Sequence, residues 1–340
     1  MAEPVKRDGG AEARKGDKMN NQEIAKKVVD RMLETIAKEG VLPWTKPWTT
    51  GGKKSVQHAD GYTEVTIPVT HWSRTGKPYQ GINPMLLNLS GKRGEMITFN
   101  QCKAEGGRIK KGAKSAVILL WNMIIKETDE LDDDGNKKKI KIPVLKTYNV
   151  FSVEDDCEGL EVKHHPEPQT VRFPNWHFEP VDGIDPANYD PAAEAVISGY
   201  LGRAAGLRLD REGNSDSAYY SPALDQVVVP NITQFSEACE FYSTLFHELG
   251  HSTGHKSRLD RFSGKDAAAA FGDEGYSREE LVAEITAASI LSTLGLESGN
   301  SFRNSAAYVQ HWSEHIANDP MMFVTAAGRA EKAIGLILGQ

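Results

Sequence analysis

The residues best suited to chemistry in this sequence lie in the segment 247-HELGH-251. His247 and His251 are four residues apart, and four residues of an α-helix turn through about 400°, so both imidazoles project from one face and can reach one ion. Glu248 is placed to accept a proton from water beside that ion. Because zinc lowers the pKa of a bound water towards about 7, the segment predicts a zinc site that hydrolyses an amide. The alternative is a surface helix that carries these side chains incidentally.

A catalytic zinc site needs a third protein ligand and an open fourth position. Glu280 is the candidate that we favour, although Ser277-x-x-Glu280 is also a capping-box pattern. Glu284, one turn further along, is either the ligand or an acceptor that orients a ligating histidine. His255 is a third candidate for the ligand, although it follows His247 too closely for the HExxHxxGxxH pattern of metzincins. The spacing is therefore closer to the gluzincin type, in which a distal glutamate completes the HExxH site.

The elements that must position these residues are mostly helical. Apolar residues at helical spacing predict helices over about 191–205, 234–253, 277–294, 302–317 and 320–338. A strand-like run at 218–230 directly precedes the motif helix. It is either an edge strand that can pair with an extended peptide or an ordinary core strand.

The first 150 residues predict a different architecture. An amphipathic helix covers 20–38, and apolar, β-branched runs follow at 96–99, 115–125 and 140–153. The last two runs flank a charged turn at 129–139, which favours a long hairpin arm. We therefore expect an α+β chain. Its N-terminal domain has a small antiparallel sheet with helices, and its C-terminal domain is mostly helical with a short sheet.

Composition divides the chain further. A charged tail at 1–18 is expected to be disordered, and six prolines between positions 166 and 191 mark a linker. The predicted domains are 19–154 and 190–340, joined by the Pro-rich linker 155–189. The sequence lacks an apolar run of the roughly 20 residues that a membrane helix needs, and its N-terminus is unlike a signal peptide. Three scattered cysteines do not form a disulfide framework, so we expect a cytoplasmic protein.

Charge is distributed unevenly along the sequence. The formal net charge is -7, yet residues 1–150 hold 27 Lys and Arg against 18 Asp and Glu, a net charge of +9. The remaining residues hold 13 Lys and Arg against 29 Asp and Glu, a net charge of -16. A basic half joined to an acidic half predicts a polyanionic partner for the first domain.

Distinct sequence motifs are spread along nearly the whole chain. In the first domain they are 43-PWTKPW-48, 78-PYQGIN-83, 97-ITFNQC-102, 106-GGRIKKGAKS-115 and 148-YNVFSV-153. In the second they are 219-YYSPALDQVVVP-230, 247-HELGHSTGH-255, 258-RLDR-261, 271-FGDEGYSREELVAE-284 and 307-AYVQHW-312. Together they resemble the ArdC family of antirestriction proteins. The N-terminal domain of that family is also similar to that of TraC-type plasmid primases, and its C-terminal part is similar to zincin-like, ImmA/IrrE-related metallopeptidases.

The resemblance implies a first domain that binds single-stranded DNA with little sequence preference. It also implies a zincin-like second domain that holds one Zn²⁺ through His247, His251 and Glu280, with Glu248 as general base. The chain departs from the family pattern in its charged arm at 127–141 and in Ser152-Val153, where the family more often has an asparagine. Neither departure touches the metal motif.

The first domain contains side chains that permit DNA binding on physical grounds. Aromatic rings offer stacking surfaces worth roughly 1–3 kcal/mol per base, and cations neutralise phosphates. The candidates are Trp44, Lys46, Trp48, Arg74, Lys77, Tyr79, Arg108, Lys110, Lys111 and Lys114, with Trp72 and Trp121 as further stacking residues. The alternative for each aromatic residue is burial in the core. The Gly-punctuated cationic turn at 106–115 is unsuited to a core.

Two functions of different class follow. The first is a single-stranded-DNA-binding antirestriction protein that protects incoming plasmid or phage DNA, with a zinc domain whose proteolysis is secondary or absent. The second is an active zinc metallopeptidase that cleaves a host protein and uses DNA binding for localisation. The intact HExxH motif fits both.

Overall fold

The computed structural model describes residues 20–39, 55–59, 61–67, 71–131, 137–165, 169–174, 189–263, 273–296 and 316–340. The predicted tail at 1–18 lies outside the described residues. So do Trp44, Lys46, Trp48 and nearly all of the helix predicted at 302–317.

The chain has the mixed α+β architecture that the sequence predicts, with sheets in the N-terminal half and mostly helices in the C-terminal half. The helices are α1 (Asn21–Glu39), α2 (Asn83–Leu89), α3 (Phe99–Ala104), α4 (Val153–Asp156), α5 (Pro191–Arg203), α6 (Ala238–Ser252), α7 (Asp273–Leu294) and α8 (Pro320–Leu338). The strands are β1 (Ser55–His58), β2 (Tyr62–Ile67), β3 (His71–Ser73), β4 (Gly94–Thr98), β5 (Arg108–Ile109), β6 (Ala116–Leu131), β7 (Lys137–Ser152), β8 (Cys157–Glu158), β9 (Gln169–Pro174), β10 (Arg208–Asp210), β11 (Tyr219–Ser221) and β12 (Gln226–Val228).

The predicted hairpin arm supplies strands β6 and β7 of the main sheet. That sheet has the order β3-β4-β7-β6, and β6 pairs antiparallel with β7 from Ala116↔Val150 onward. The side chain of Asn83 exchanges two hydrogen bonds with the backbone of Leu119, at 2.8 Å to its carbonyl oxygen and 2.7 Å from its N–H. An asparagine side chain thus occupies part of the open edge of β6, where another strand would otherwise pair.

Two strands come from the stretch that we predict as a linker. β9 pairs antiparallel with β2, which gives a sheet of order β1-β2-β9. β8 pairs with β5, so that Cys157 faces Ile109. The Pro-rich stretch therefore contributes hydrogen-bonded strands to two sheets that begin in the first domain.

One apolar core joins the two ends of the chain. The buried face of α1, including Val28 and Met32, packs in the same cluster as Leu281 of α7 and Phe323 of α8. The predicted helical spacing in α1 is confirmed at these positions, because apolar residues three and four apart lie on one face. A second cluster packs α5 against α6 and strand β12.

The strand-like run before the motif helix forms a tight hairpin. Its strands β11 and β12 are antiparallel, while β10 pairs in parallel on the far side of β12. In the order β10-β12-β11 the strand β11 is at the edge of this sheet. No helix within the described ranges combines the length and apolar character that crossing a bilayer requires.

Candidate metal centre and nucleic-acid interface

Two packed helices carry the motif residues. On α6 the side chains of Phe241, Leu245 and Phe246 are fully buried, so the opposite side of the helix, with its two histidines, is held rigidly. Helix α7 begins at Asp273, and Ser277 therefore lies inside it rather than at its N-cap. This excludes the capping-box interpretation of Glu280 and leaves its carboxylate available to the site.

His247, His251 and Glu280 converge on one point. The two Nε2 atoms of the histidines are 3.1 Å apart. One carboxylate oxygen of Glu280 lies 3.3 Å from Nε2 of His247, and the other lies 3.3 Å from Nε2 of His251. One potential ligand atom from each residue falls within 4.8 Å of the others, so the three could hold a single metal ion. Two imidazoles and a carboxylate match the donor set of three-ligand zinc sites.

The outward-facing nitrogens of the histidines also have carboxylate partners. Nδ1 of His247 lies 3.5 Å from Glu284, and Nδ1 of His251 lies 3.5 Å from Glu279. The second of the roles predicted for Glu284, an acceptor that orients a histidine, agrees with this placement. Such partners fix the tautomer and the orientation of a ligating imidazole.

Sequence reasoning missed Glu279 and the arginine that holds it. Arg261 donates to both oxygens of Glu279, at 3.0 and 2.5 Å, and its side chain is 5% exposed. It also donates to the carbonyl oxygen of Gly250 and the hydroxyl of Thr253. The available signal was the motif 258-RLDR-261, since a charged side chain can be buried only when it is paired.

His255 does not join this cluster. Its Nδ1 is 2.8 Å from the hydroxyl of Ser257 and 3.8 Å from a carboxylate oxygen of Asp225. Asp225 in turn accepts hydrogen bonds from Arg258 and from the hydroxyl of Tyr220. His255 therefore belongs to a polar network beside the site, in which it contacts Asp225 rather than the other histidines.

Glu248 faces a small cleft beside the edge strand. The cleft has a volume of about 230 Å³ and is lined by Tyr219 and Tyr220 of β11 together with Glu248 and both histidines. Burial raises the pKa of Glu248 above its ordinary value, and the neighbouring histidines oppose that effect. A carboxyl with a raised pKa is suited to accept a proton and then return it.

The charges of the cluster favour protonated histidines when no ion is bound. Burial alone would lower the pKa of His247, but hydrogen bonds to Glu280 and Glu284 raise it to about 10. Burial also raises the pKa of Glu280, yet its hydrogen bonds to the two histidines outweigh this and bring it well below its usual range. At neutral pH at least one histidine of the metal-free cluster is therefore a positively charged imidazolium, opposite an ionised Glu280.

Three of the residues predicted to bind DNA, Arg74, Lys77 and Tyr79, line a large groove. We call it the α8 groove, because α8 lines it together with residues of the β6–β7 hairpin such as Ile118 and Tyr148. Its volume is about 850 Å³, and Lys77 and Tyr79 lie on its rim beside Trp121, which is 52% exposed. Lys332 of α8 adds a second cation. Sequence reasoning missed Lys332, because it lies far from the basic half of the chain.

Arg74 also borders the α8 groove, but its charge is used inside the protein. Its side chain is 4% exposed, and its guanidinium donates to Glu95 at 2.5 Å and to Glu105 at 2.7 Å. Hydrogen bonds from Arg74 and Lys163 lower the pKa of Glu105 to about 2. The predicted phosphate contact of Arg74 therefore conflicts with its burial and its carboxylate partners.

The cationic turn at 106–115 lies away from the α8 groove and is partly occupied. Arg108 pairs with Glu158 at 2.5 Å, and Lys110 donates to the carbonyl oxygens of Glu154 and Asp155. Lys111 and Lys114 are exposed. Trp72, which was a stacking candidate, is half-buried in β3.

Two family models match separate parts of the chain. Residues 22–151 match the N-terminal domain of the anti-restriction factor ArdC, and residues 200–329 match a zincin-like metallopeptidase. The second match covers the histidine motif, α7 and part of α8. A zincin-like domain implies a divalent metal.

Similar proteins align along most of the chain. Two Escherichia coli proteins named DNA primase TraC are each 32% identical over 92% of this chain. The chain spans only 26% and 19% of their respective lengths. A protein of Sinorhizobium fredii, the uncharacterized protein y4eC, is 27% identical, with 91% of this chain and 90% of that protein aligned.

Crystal structures of the antirestriction ArdC protein from plasmid R388 have the same fold. The Mn(II)-bound structure is 30% identical with a TM-score of 0.58, and the metal-free structure is 29% identical with a TM-score of 0.59. Each alignment covers 92% of this chain and 96% of the R388 protein.

We expect Glu280→Gln to lower the affinity for Zn²⁺ more than substitution of any other carboxylate at the site, because both histidines face it. Glu279→Gln should lower the affinity about 10- to 100-fold, the usual loss for a group that orients a ligating histidine. His255→Ala is the control and should leave the affinity unchanged. Competition with a chromogenic chelator measures all of these affinities. Retained affinity in Glu280→Gln together with a large loss in Glu284→Gln would move the third ligand to Glu284.

We also expect metal affinity to rise with pH between about 6 and 8. The pKa of His247 is raised to about 10 in the metal-free protein, so an ion must displace a proton throughout this range. Each displaced proton makes the affinity about tenfold higher per pH unit. Glu280 stays ionised and contributes no proton. Titration calorimetry in buffers of different ionisation enthalpy counts the protons released, and release of none at pH 7 would contradict the charge state assigned here.

Proposed function

Because the chain belongs to the ArdC family of antirestriction proteins, we propose that it binds single-stranded DNA and protects incoming plasmid or phage DNA from host restriction. Residues 19–154 would form the DNA-binding domain and residues 190–340 the zincin-like domain, with 155–189 between them. Such protection would take place in the cytoplasm, where incoming DNA meets restriction enzymes.

The α8 groove is the observation that carries this proposal. Its rim combines the exposed ring of Trp121 with Tyr79, Lys77 and Lys332. Single-strand binding proteins pair aromatic stacking with cations that follow the phosphates, and this combination tolerates any base sequence. We leave Arg74 out of the proposed surface, because its guanidinium is committed to two carboxylates.

We propose that His247, His251 and Glu280 hold one Zn²⁺, with Glu248 beside it as general base. The ion would supply a Lewis acid and would acidify water near neutral pH. The protein would supply the rest: Glu279 and Glu284 orient the imidazoles, and Glu248 accepts and returns a proton within the cleft. Two nitrogen donors and one carboxylate favour zinc over manganese, which prefers oxygen-rich sites.

A second candidate function is an active metallopeptidase that cleaves a host protein, with DNA binding for localisation. The observation that favours it is the edge strand β11, since Tyr219 and Tyr220 line the same cleft as Glu248. An extended peptide pairing with β11 would bring an amide close to the cluster. The metal ligands, the carboxyl of Glu248 and the edge strand together are what this reaction needs.

The groove predicts a matched series of variants. Trp121→Ala should weaken binding of a single-stranded oligonucleotide about 5- to 150-fold, the loss of one stacked base. Lys77→Ala should reduce the slope of log affinity against log salt by about 0.7, because one phosphate contact is removed. Fluorescence anisotropy over a salt series measures both effects. Met123→Ala and Lys126→Ala are the controls, since both residues are exposed on β6 outside the groove; equal losses in the controls would move the binding surface elsewhere.

Glu248→Gln separates the two candidate functions. We expect the variant to keep its metal, because the three proposed ligands are intact, and to lose any peptidase activity. Transformation of unmodified plasmid into a restricting host measures protection. Full protection by Glu248→Gln supports DNA binding as the cause, whereas loss of protection with DNA affinity unchanged supports proteolysis of a host factor.

A further inference from the structure

We propose that a second cavity, lined by residues other than those of the α8 groove, binds a nucleoside 5′-phosphate. This cavity, which we call the α1 pocket, lies between α1, α2 and the β6–β7 hairpin. The ligand could be a free nucleotide or the phosphorylated end of a DNA strand. Only the second source rests on the proposed function, so the two are separated in the test.

The two cavities are lined by different residues of the hairpin, and the residue sets that line them do not overlap. Val117 and Asn149 are direct partners across the hairpin and line the α1 pocket. Their neighbours Ile118 and Tyr148 are also partners and line the α8 groove. Because the two cavities share no lining residue, the α1 pocket is a separate site.

The α1 pocket has the shape and the floor of a small-molecule site. Its volume of about 440 Å³ falls within the roughly 300–1,000 Å³ of known ligand pockets. The floor is apolar and includes Val28, Met32 and Leu86, which are at most 7% exposed. Ser115, Thr147 and Asn149 add hydroxyl and amide groups on one side. An apolar floor with a few polar groups suits a base and its sugar.

Four cations surround this apolar floor. They are Lys27, Arg31, Lys92 and Lys114, and none of the described residues that line the pocket is acidic. Lys92 already pairs with Asp156 at 2.5 Å. Lys27 and Lys114 are exposed and, among the described residues, form no ion pair. Two cations from separate elements, one on α1 and one before β6, thus remain available for a phosphate.

Lys114 differs from the neighbouring cations of the predicted turn at 106–115. Arg108 and Lys110 of that turn are engaged with Glu158 and with backbone carbonyls. Lys114 instead lines the α1 pocket. A phosphate at the mouth and a base on the floor would satisfy both parts of the lining at once.

The test measures binding of thymidine 5′-monophosphate to the full chain by equilibrium dialysis at low salt. We expect saturable binding of the nucleotide and much weaker binding of thymidine, which lacks the phosphate. The double variant Lys27→Ala/Lys114→Ala should lose about tenfold or more in affinity, since charged hydrogen bonds are removed. Lys146→Ala is the matched control, because Lys146 is exposed on the opposite face of β7.

A second variant keeps the test independent of charge. Thr147→Trp fills the pocket from an exposed strand position and should also abolish nucleotide binding. Absence of nucleotide binding to the unaltered protein, or equal affinity in Lys27→Ala/Lys114→Ala and Lys146→Ala, would overturn the proposal. Binding that survives in Trp121→Ala but is lost in Thr147→Trp supports it.

Oligonucleotides with and without a 5′-phosphate distinguish the two sources. Tighter binding of the phosphorylated strand, lost in Thr147→Trp, assigns the pocket to a DNA end. Equal binding of both strands, with nucleotide binding intact, assigns it to a free nucleotide. Loss of all oligonucleotide binding in Trp121→Ala with nucleotide binding unchanged would concern the α8 groove alone, so failure of one proposal is distinguishable from failure of the other.

Discussion

The metal centre depends on the close approach of α6 and α7 at Gly250. A Cβ atom at this position would lie 3.1 Å from Cα of Ala283 and 3.4 Å from its carbonyl oxygen, so the backbone of α7 would have to move away by a few tenths of an ångström. Glycine in the middle of a helix costs roughly 0.5–1 kcal/mol relative to alanine. The helix tolerates this cost because the contact brings the face of α7 that carries Glu280 against the two histidines of α6.

A buried ion pair stabilises the close approach of α6 and α7. Arg261 follows α6 in the chain and holds Glu279 of α7, while it also donates to the carbonyl oxygen of Gly250 at 2.9 Å. Removing one partner of such a pair leaves a buried charge, which is strongly destabilising. Burial raises the pKa of Glu279, but hydrogen bonds to His251 and Arg261 outweigh this effect and lower it, so the carboxylate stays ionised beside His251. Helix α7 then presents three carboxylates, those of Glu279, Glu280 and Glu284, to different nitrogens of the same two rings.

The part of this arrangement that is local could be predicted from the sequence. The spacing of His247 and His251 needs only helical geometry, and the hairpin needs only alternating apolar runs around a charged turn. The partners of Glu280 depend on tertiary packing, so sequence reasoning could rank Glu280, Glu284 and His255 but could not place them. The same limit explains Arg74. Its partners Glu95 and Glu105 are 21 and 31 residues away, and an arginine in a basic segment gives no local sign that carboxylates from β4 and from the residue after α3 will enclose it.

Helix α8 shows why the two halves of the chain depend on each other. Phe323 packs in the core that α1 and α7 share, while Gly328 and Lys332 line the α8 groove. Glu331 accepts a hydrogen bond of 2.6 Å from the backbone N–H of Gly81, which fixes the loop carrying Lys77 and Tyr79 against this helix. A fragment ending at residue 154 would therefore lack one wall of the groove and the carboxylate that anchors its rim. The metallopeptidase-like half thus has a structural part in the proposed DNA contact, whether or not its own chemistry is used.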